Sequence, residues 1–190
     1  MKKRGLEKFN NLVDALSALP TVGKKSALRY AYHMVLHDSF AALKLSHAIE
    51  NAVSNIKRCY KCGGLSEDEI CDICFDDARD GEKLCIVESA KDIFVIEEGV
   101  DYDGRYFVLE CLDEEKLISL KRLIDEGVGE VIFAFTPSLA NDGVILFIED
   151  KLKEYNLAFT KIAQGVPTGV NLENVDMLSL SKALTDRVKV

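Results

Sequence analysis

In the stretch "CYKCGGLSEDEICDIC", Cys59, Cys62, Cys71 and Cys74 form two CxxC pairs separated by eight residues. Each pair offers two thiolates from one tight turn. Two such pairs brought together complete a tetrahedral four-sulfur site with Zn–S bonds of about 2.3 Å. Gly63 and Gly64, directly after Cys62, supply the positive φ angles that such knuckles need. A redox CxxC usually occurs once and opens a helix after a strand, which neither pair does. The spacing therefore predicts one structural Zn2+ per chain, with iron or redox use as the competing readings. Because protein fills all four positions, no place is left for a reactive water, and the metal is expected to stabilise rather than catalyse.

Lys2, Lys3 and Arg4 look like the start of a signal peptide, but Gly5, Leu6, Glu7 and Lys8 follow instead of an apolar run. Export needs such a run of roughly 7 to 15 residues. No stretch of about 18 apolar residues occurs either, which excludes a membrane span. The expected location is the cytoplasm, where cysteines are thiols or metal ligands rather than disulfides. Cys85, in an expected strand, and Cys111, just after another, read as buried small apolar residues.

The 190 residues, 48% of them hydrophobic, suffice for a real core in one or two domains. Leu6, Phe9, Leu12, Val13, Leu16 and Leu19 recur at three and four and predict an amphipathic helix that Pro20 stops. A second helix is expected over 24–36. A third, capped by Asp38 or Ser39, should run to about Lys57. After the cysteines, β-rich runs at 84–88, 105–110, 130–135 and 158–163 alternate with helical stretches at 89–98, 113–126 and 142–155. That alternation predicts a parallel α/β sheet. Its working surface should lie beyond the carboxyl ends of the strands, near Glu88, Thr136 to Ser138 and Gln164 to Gly169. The whole reads as an α+β chain in parts.

Net charge is −8, unevenly spread: residues 1–63 carry +7 and residues 64–190 carry −15. A basic head on an acidic body suggests that only the head meets polyanions. Within the head, "LPTVGKKSALRYA" (19–31) places Lys24, Lys25 and Arg29 just after a Pro and Gly turn. A helix, a short Gly-containing turn and a second, cation-bearing helix make a helix-hairpin-helix pattern. Backbone amides at the turn, the helix dipole and the nearby cations all favour phosphate. None of them reads base edges, so DNA binding would be sequence-independent. The competing reading is a solvated basic helix start. His33, His37 and His47 read as ordinary helix residues.

The order of these parts, with "CIVESAKDIFVIE", "GRYFVL", "EVIFAFTPS" and the ending "KIAQGVPTGVNLENVDMLSLSKAL", resembles the RecR family of bacterial recombination mediators over nearly the whole chain. The resemblance implies a helix-hairpin-helix region at 1–57, a four-cysteine zinc finger at 58–81, a Toprim fold at 82–163 and a C-terminal helical oligomerisation segment at 164–190. It also implies a ring-like tetramer able to encircle DNA. Its expected partners are RecO and RecF, with which it loads RecA on gapped or single-stranded DNA coated by single-strand-binding protein. The family's DNA-contacting lysine and arginine match Lys25 and Arg29, and Lys24 is an added cation. Three departures stand out: Thr21 replaces the first glycine of the turn, the loop after the second Toprim strand shrinks to "ECLDEEKL", and "TPSLANDG" leaves Asp142 as the acidic residue for RecO.

Catalytic Toprim domains hold Mg²⁺ with a glutamate after the first strand plus an Asp-x-Asp pair. Glu88 matches the glutamate, but Thr136-Pro137-Ser138 carries no carboxylate at the second position. Glu88 is then open to a weak ion, a partner contact, or a solvated or capping role. The expectation is a non-enzymatic mediator in DNA repair. A Mg²⁺-dependent nuclease or primase is the alternative, and a redox or zinc-sensing regulator is a third reading.

Overall fold

The computed structural model describes residues 5–163, 172–175, 177, 179 and 181. The chain divides into two compact units, Met1–Ile56 and Lys57–Val190.

The first unit is helical: α1 (Glu7–Ser17), α2 (Lys24–Leu36) and α3 (Ser39–Asn55). Helix α1 ends at Ser17, two residues short of the expected Leu19. Asp38, one of the two cap candidates, takes the role by accepting from the Ala41 N–H at 2.9 Å. Ala27 and Ala31, one turn apart on α2, are fully buried. Their small side chains let the neighbouring helix lie close.

The turn between α1 and α2 carries a conformational cost. Thr21 has φ +66°, the left-handed region, and is the only non-glycine there among the described residues. A side chain in that region costs roughly 1–2 kcal/mol, and β-branching makes the fit worse. Thr21→Gly should therefore stabilise this unit by about 1 kcal/mol after the entropy that glycine brings to the unfolded chain is subtracted. Denaturant unfolding of the two proteins checks this, and a lower midpoint for the glycine variant would refute it.

The second unit opens with a short antiparallel pair, β1 (Lys57–Arg58) and β2 (Leu65–Ser66), then the single-turn helix α4 (Asp72–Phe75). A four-stranded sheet follows, with β3 (Asp80–Val87), β4 (Gly104–Val108), β5 (Glu130–Ala134) and β6 (Ala158–Lys161) in the order β4-β3-β5-β6, all parallel. The crossovers are α5 (Ala90–Gly99), α6 (Glu114–Ile124) and α7 (Leu139–Lys151). Each has a cap from the sequence: Ser89 with Asp92 forms a capping box, Asp113 accepts from the Lys116 N–H, and Ser138 accepts from the Asn141 N–H. The Ser138 cap starts α7 three residues before the expected position 142.

Side chains alternate across the sheet, as strand geometry dictates. Leu84, Ile86, Val131 and Phe133 pack with Leu120, Leu123, Ile148 and Leu152 on one face. Cys85, Val87, Tyr106 and Val108 pack with Ala90 and Ile93 on the other. Ile73 of α4 touches this second cluster and the cysteine cluster alike, so the cysteine hairpin completes the second face. Cys85 is buried as expected, and burial pushes its thiol up to about 12. Cys111 is not buried. It lies exposed before α6 and donates to Asp113, because the β4 strand ends at Val108 and the chain has already left the core.

Arg79, ahead of β3, pairs with Glu97 of α5 and donates to the Gly104 carbonyl at 2.9 Å, while the Tyr106 hydroxyl donates to Glu97 at 2.7 Å. Burial alone would raise the Glu97 pKa, but the bonds from Arg79 and Tyr106 outweigh it and hold the carboxyl below its ordinary range. Its stabilising contribution is thus complete above the unfolded value of about 4.3 and is lost as pH falls through the lower folded value. Glu97→Gln should cost about 1–2 kcal/mol at pH 7, and the gap to the parent should close in strong acid. Unfolding measured across pH tests the direction.

Among the described residues, no helix is long and apolar enough to cross a membrane. The expected surface at Gln164 to Gly169 lies outside the described residues. Of the expected C-terminal segment, they include a 3-10 turn at Leu172–Asn174 and little else.

Candidate functional site

The four sulfurs of Cys59, Cys62, Cys71 and Cys74 all lie within 4.8 Å of one another, and all four residues are buried. Edges of a tetrahedron with bonds of about 2.3 Å measure roughly 3.8 Å, so a single ion fits with little adjustment. The Cys62 and Cys71 sulfurs are 3.6 Å apart.

The backbone builds this cage locally. Cys59 N–H donates to Gly64 carbonyl at 2.7 Å, and Gly63 N–H donates to Cys59 carbonyl at 2.9 Å. Tyr60 N–H reaches across to Glu69 carbonyl at 2.9 Å and ties the first knuckle to the second. Two further amides face sulfur: Gly64 N–H to Cys62 Sγ and Cys71 N–H to Cys59 Sγ, each at 3.3 Å. Such donors favour thiolates over thiols. Of the two glycines only Gly63 has positive φ, at +76°. Gly64 serves a different need, since a Cβ there would come within 3.2 Å of both Cys62 Sγ and Ile93 Cδ1.

The thiols of Cys62, Cys71 and Cys74 do not hold their protons equally. Hydrogen bonds from Cys62 and then Cys74 hold Cys71 far below the usual thiol range, at about 2. The hydrogen bond to Cys71, together with burial, pushes the Cys62 thiol up to about 12, and hydrogen bonds to Cys62 and Cys71 push Cys74 well above the usual thiol range. A divalent cation is the partner that would let the raised thiols of Cys62 and Cys74 ionise.

The hairpin is anchored to the sheet by long-range contacts absent from any local pattern. Val108 N–H donates to the Cys62 carbonyl at 2.8 Å, and Arg58 grips Glu110 through two bonds of 2.9 and 2.8 Å. Arg122 donates to the Tyr60 hydroxyl at 2.8 Å, and Lys61 pairs with Glu126 at 3.0 Å.

In the helical unit, Gly23 is the N-cap of α2, and no side chain caps that end. The first turn holds Lys24 and Lys25 and no acidic residue. This reverses the usual preference for acids at the positive end of a helix dipole. Lys24, Lys25 and Arg29 are all exposed, and none forms an ion pair among the described residues. The Arg29 guanidinium lies 5.4 Å from the Tyr30 ring centroid. Free amides, an unbalanced dipole and three unpaired cations make one anion-seeking surface. His33 and His37 stack on each other at 5.8 Å and belong to no metal-binding group among the described residues.

Glu88 sits after β3 as expected, but its carboxylate is engaged within the chain. Oε2 accepts from the Thr136 N–H at 2.6 Å, and Oε1 accepts from Asn141 Nδ2 at 3.0 Å. Asn141 also donates to the Thr136 carbonyl at 2.7 Å. Those bonds, led by the Thr136 amide, hold Glu88 below the usual carboxylate range. Glu88 fastens the loop between β5 and α7, with Asn141, which the sequence did not single out, as its clasp. Asp142 is exposed on the first turn of α7, with its carboxylate 3.4 Å from Lys161 Nζ.

Comparison with known proteins agrees with this geometry. The family described as "RecR, helix-hairpin-helix" matches residues 9–53. Recombination protein RecR of a Nitratiruptor species is 64% identical over 99% of this chain and 100% of its own length. The proteins of the same name from Helicobacter pylori (strain Shi470) and Campylobacter jejuni subsp. doylei are 53% and 54% identical over 98% of this chain, covering 97% and 99% of theirs. With a helix-hairpin-helix at its head, a four-cysteine cage and near-complete alignment to these relatives, the chain belongs to the RecR family of recombination proteins.

Proposed function

We propose that the protein is a DNA-binding mediator of recombination and repair that acts in the cytoplasm without chemistry of its own. The observation that carries this reading is the uncapped start of α2, where Lys24 and Lys25 stand without acidic neighbours in the first turn and Arg29 follows one turn later. These three residues contact phosphates, and the contact is independent of sequence. Cys59, Cys62, Cys71 and Cys74 hold one structural Zn2+.

A Toprim-like body serves as scaffold rather than nuclease or primase. Both oxygens of Glu88 are already bonded, and Thr136 to Ser138 offer no carboxylate, which supports that reading. The loop that Glu88 secures presents Asp142 to RecO. Together with RecF, the assembly loads RecA on gapped or single-stranded DNA.

Self-association fits the helical unit, where Phe40 is 80% exposed and Leu43 and Val53 are exposed to a similar degree. Such apolar surface on a small helical unit calls for partners. A ring-like tetramer closed around DNA supplies them.

A retention experiment tests the clamp. After loading at low salt and a wash at high salt, protein should stay on a closed circular duplex and leave the same DNA once it is linearised. Blocking the ends should restore retention. Equal loss from circle and line would rule out encirclement while leaving DNA binding intact.

A further inference from the structure

Between the cysteine hairpin and α5 lies a cavity of about 170 Å³, lined by Leu65, Asp72, Ile73, Ile93 and Phe94 among others. Small-molecule and cofactor pockets run upwards of roughly 300 Å³, so this one is too small for either. It has the size for a single large apolar side chain. Its rim is apolar and open, with Phe94 52% and Leu65 47% exposed. Gly64 forms part of the wall, where the backbone passes so close to Ile93 that no Cβ fits comfortably.

Two of the lining residues, Asp72 and Glu97, are acidic, and the chain segment that supplies the hairpin side of the cavity is acidic along its length. Between Leu65 and Ala78 the sequence holds Glu67, Asp68, Glu69, Asp72, Asp76 and Asp77 with no lysine or arginine. None of these six forms an ion pair among the described residues. Glu97, also at the cavity, is engaged by Arg79 and Tyr106, whereas Asp72 has no such partner. Such a face repels phosphate, so the surface is not one for DNA. A second copy of the chain would require a contact of about 800 Å² on each side, far more than one side-chain-sized cavity offers.

We propose that this groove docks a short basic segment of a partner protein, with one apolar side chain in the cavity between Phe94 and Leu65 and flanking lysines or arginines against Asp72 and the acidic segment that carries it. An anchor in a pocket surrounded by complementary charge is how a small interface gains both affinity and rate.

The test uses the zinc-loaded full-length protein and two fluorescent twelve-residue peptides of lysine and arginine. One carries a central leucine and the other alanine in its place. Anisotropy should show the leucine peptide binding about tenfold more tightly, a difference of roughly 1.4 kcal/mol. Phe94→Ala and, independently, Leu65→Ser should abolish that difference, while Asp72→Asn weakens both peptides. Melting temperature, zinc content and DNA affinity should not move, because Phe94 and Leu65 lie outside the core. Equal binding of the two peptides, or a leucine preference that survives both apolar variants, would overturn the proposal. So would a change in solution mass or in DNA binding caused by Phe94→Ala, which would assign the face to a second copy or to nucleic acid.

Discussion

Lys25→Ala with Arg29→Ala should lower DNA affinity roughly ten- to thirty-fold near 0.15 M salt, whatever the sequence, from two lost contacts of about 1 kcal/mol each. The diagnostic is the slope of log affinity against log salt. Each phosphate contact contributes about 0.9 on duplex and about 0.7 on single strands, so the double variant should be shallower by nearly two units on duplex. A parallel downward shift with the parental slope would mean that the cations shape the turn without touching phosphate. The variant should fold normally, since both side chains are exposed and neither forms an ion pair among the described residues. Lys24→Ala alone should give about half the effect on slope.

The second large effect belongs to the cysteine cage. Stripping the ion with a chelator, or replacing Cys59 by serine, should destabilise the second unit by about 4 kcal/mol or more. The loss should also have a direction. Ile73 joins the cage to the face that holds Val87, Ile93 and Tyr106, so amides of α5 and β4 should lose exchange protection before those of α6 and α7. Metal binding must expel protons that Cys62 and Cys74 hold tightly in the free cage, so zinc affinity should fall as the solution is acidified. Measured zinc near one per chain, with a melting temperature that drops on chelation, fits a structural ion. An unchanged melting temperature would not.

Much of this is legible in the sequence because the chemistry is local. Two CxxC pairs with eight residues between them point to one shared four-sulfur site, and the sulfurs do converge. The four strands follow from runs of β-branched and aromatic residues. What escapes is what depends on residues far apart. Glu88 reads as open to a metal or a partner, yet Thr136 and Asn141, about fifty positions on, are bonded to it. Arg79 and Glu97 meet only because β3 and α5 are adjacent. Cys111 reads as buried because it follows a strand-like run, yet β4 stops at Val108. Thr21 marks a departure from the family's glycine, and only the backbone reveals that Thr21 itself takes the left-handed conformation.

The bare start of α2 has a thermodynamic consequence. Two lysines at the positive end of a helix each cost about 0.3–1 kcal/mol when nothing offsets them, and no side chain satisfies the first amides. Free protein should fray there. A polyanion that neutralises the lysines and accepts from those amides offsets the same cost, so helix order and DNA occupancy become one coupled equilibrium. The melting temperature of the helical unit should then climb with DNA concentration, and heat alone, without any label, would read out a binding isotherm.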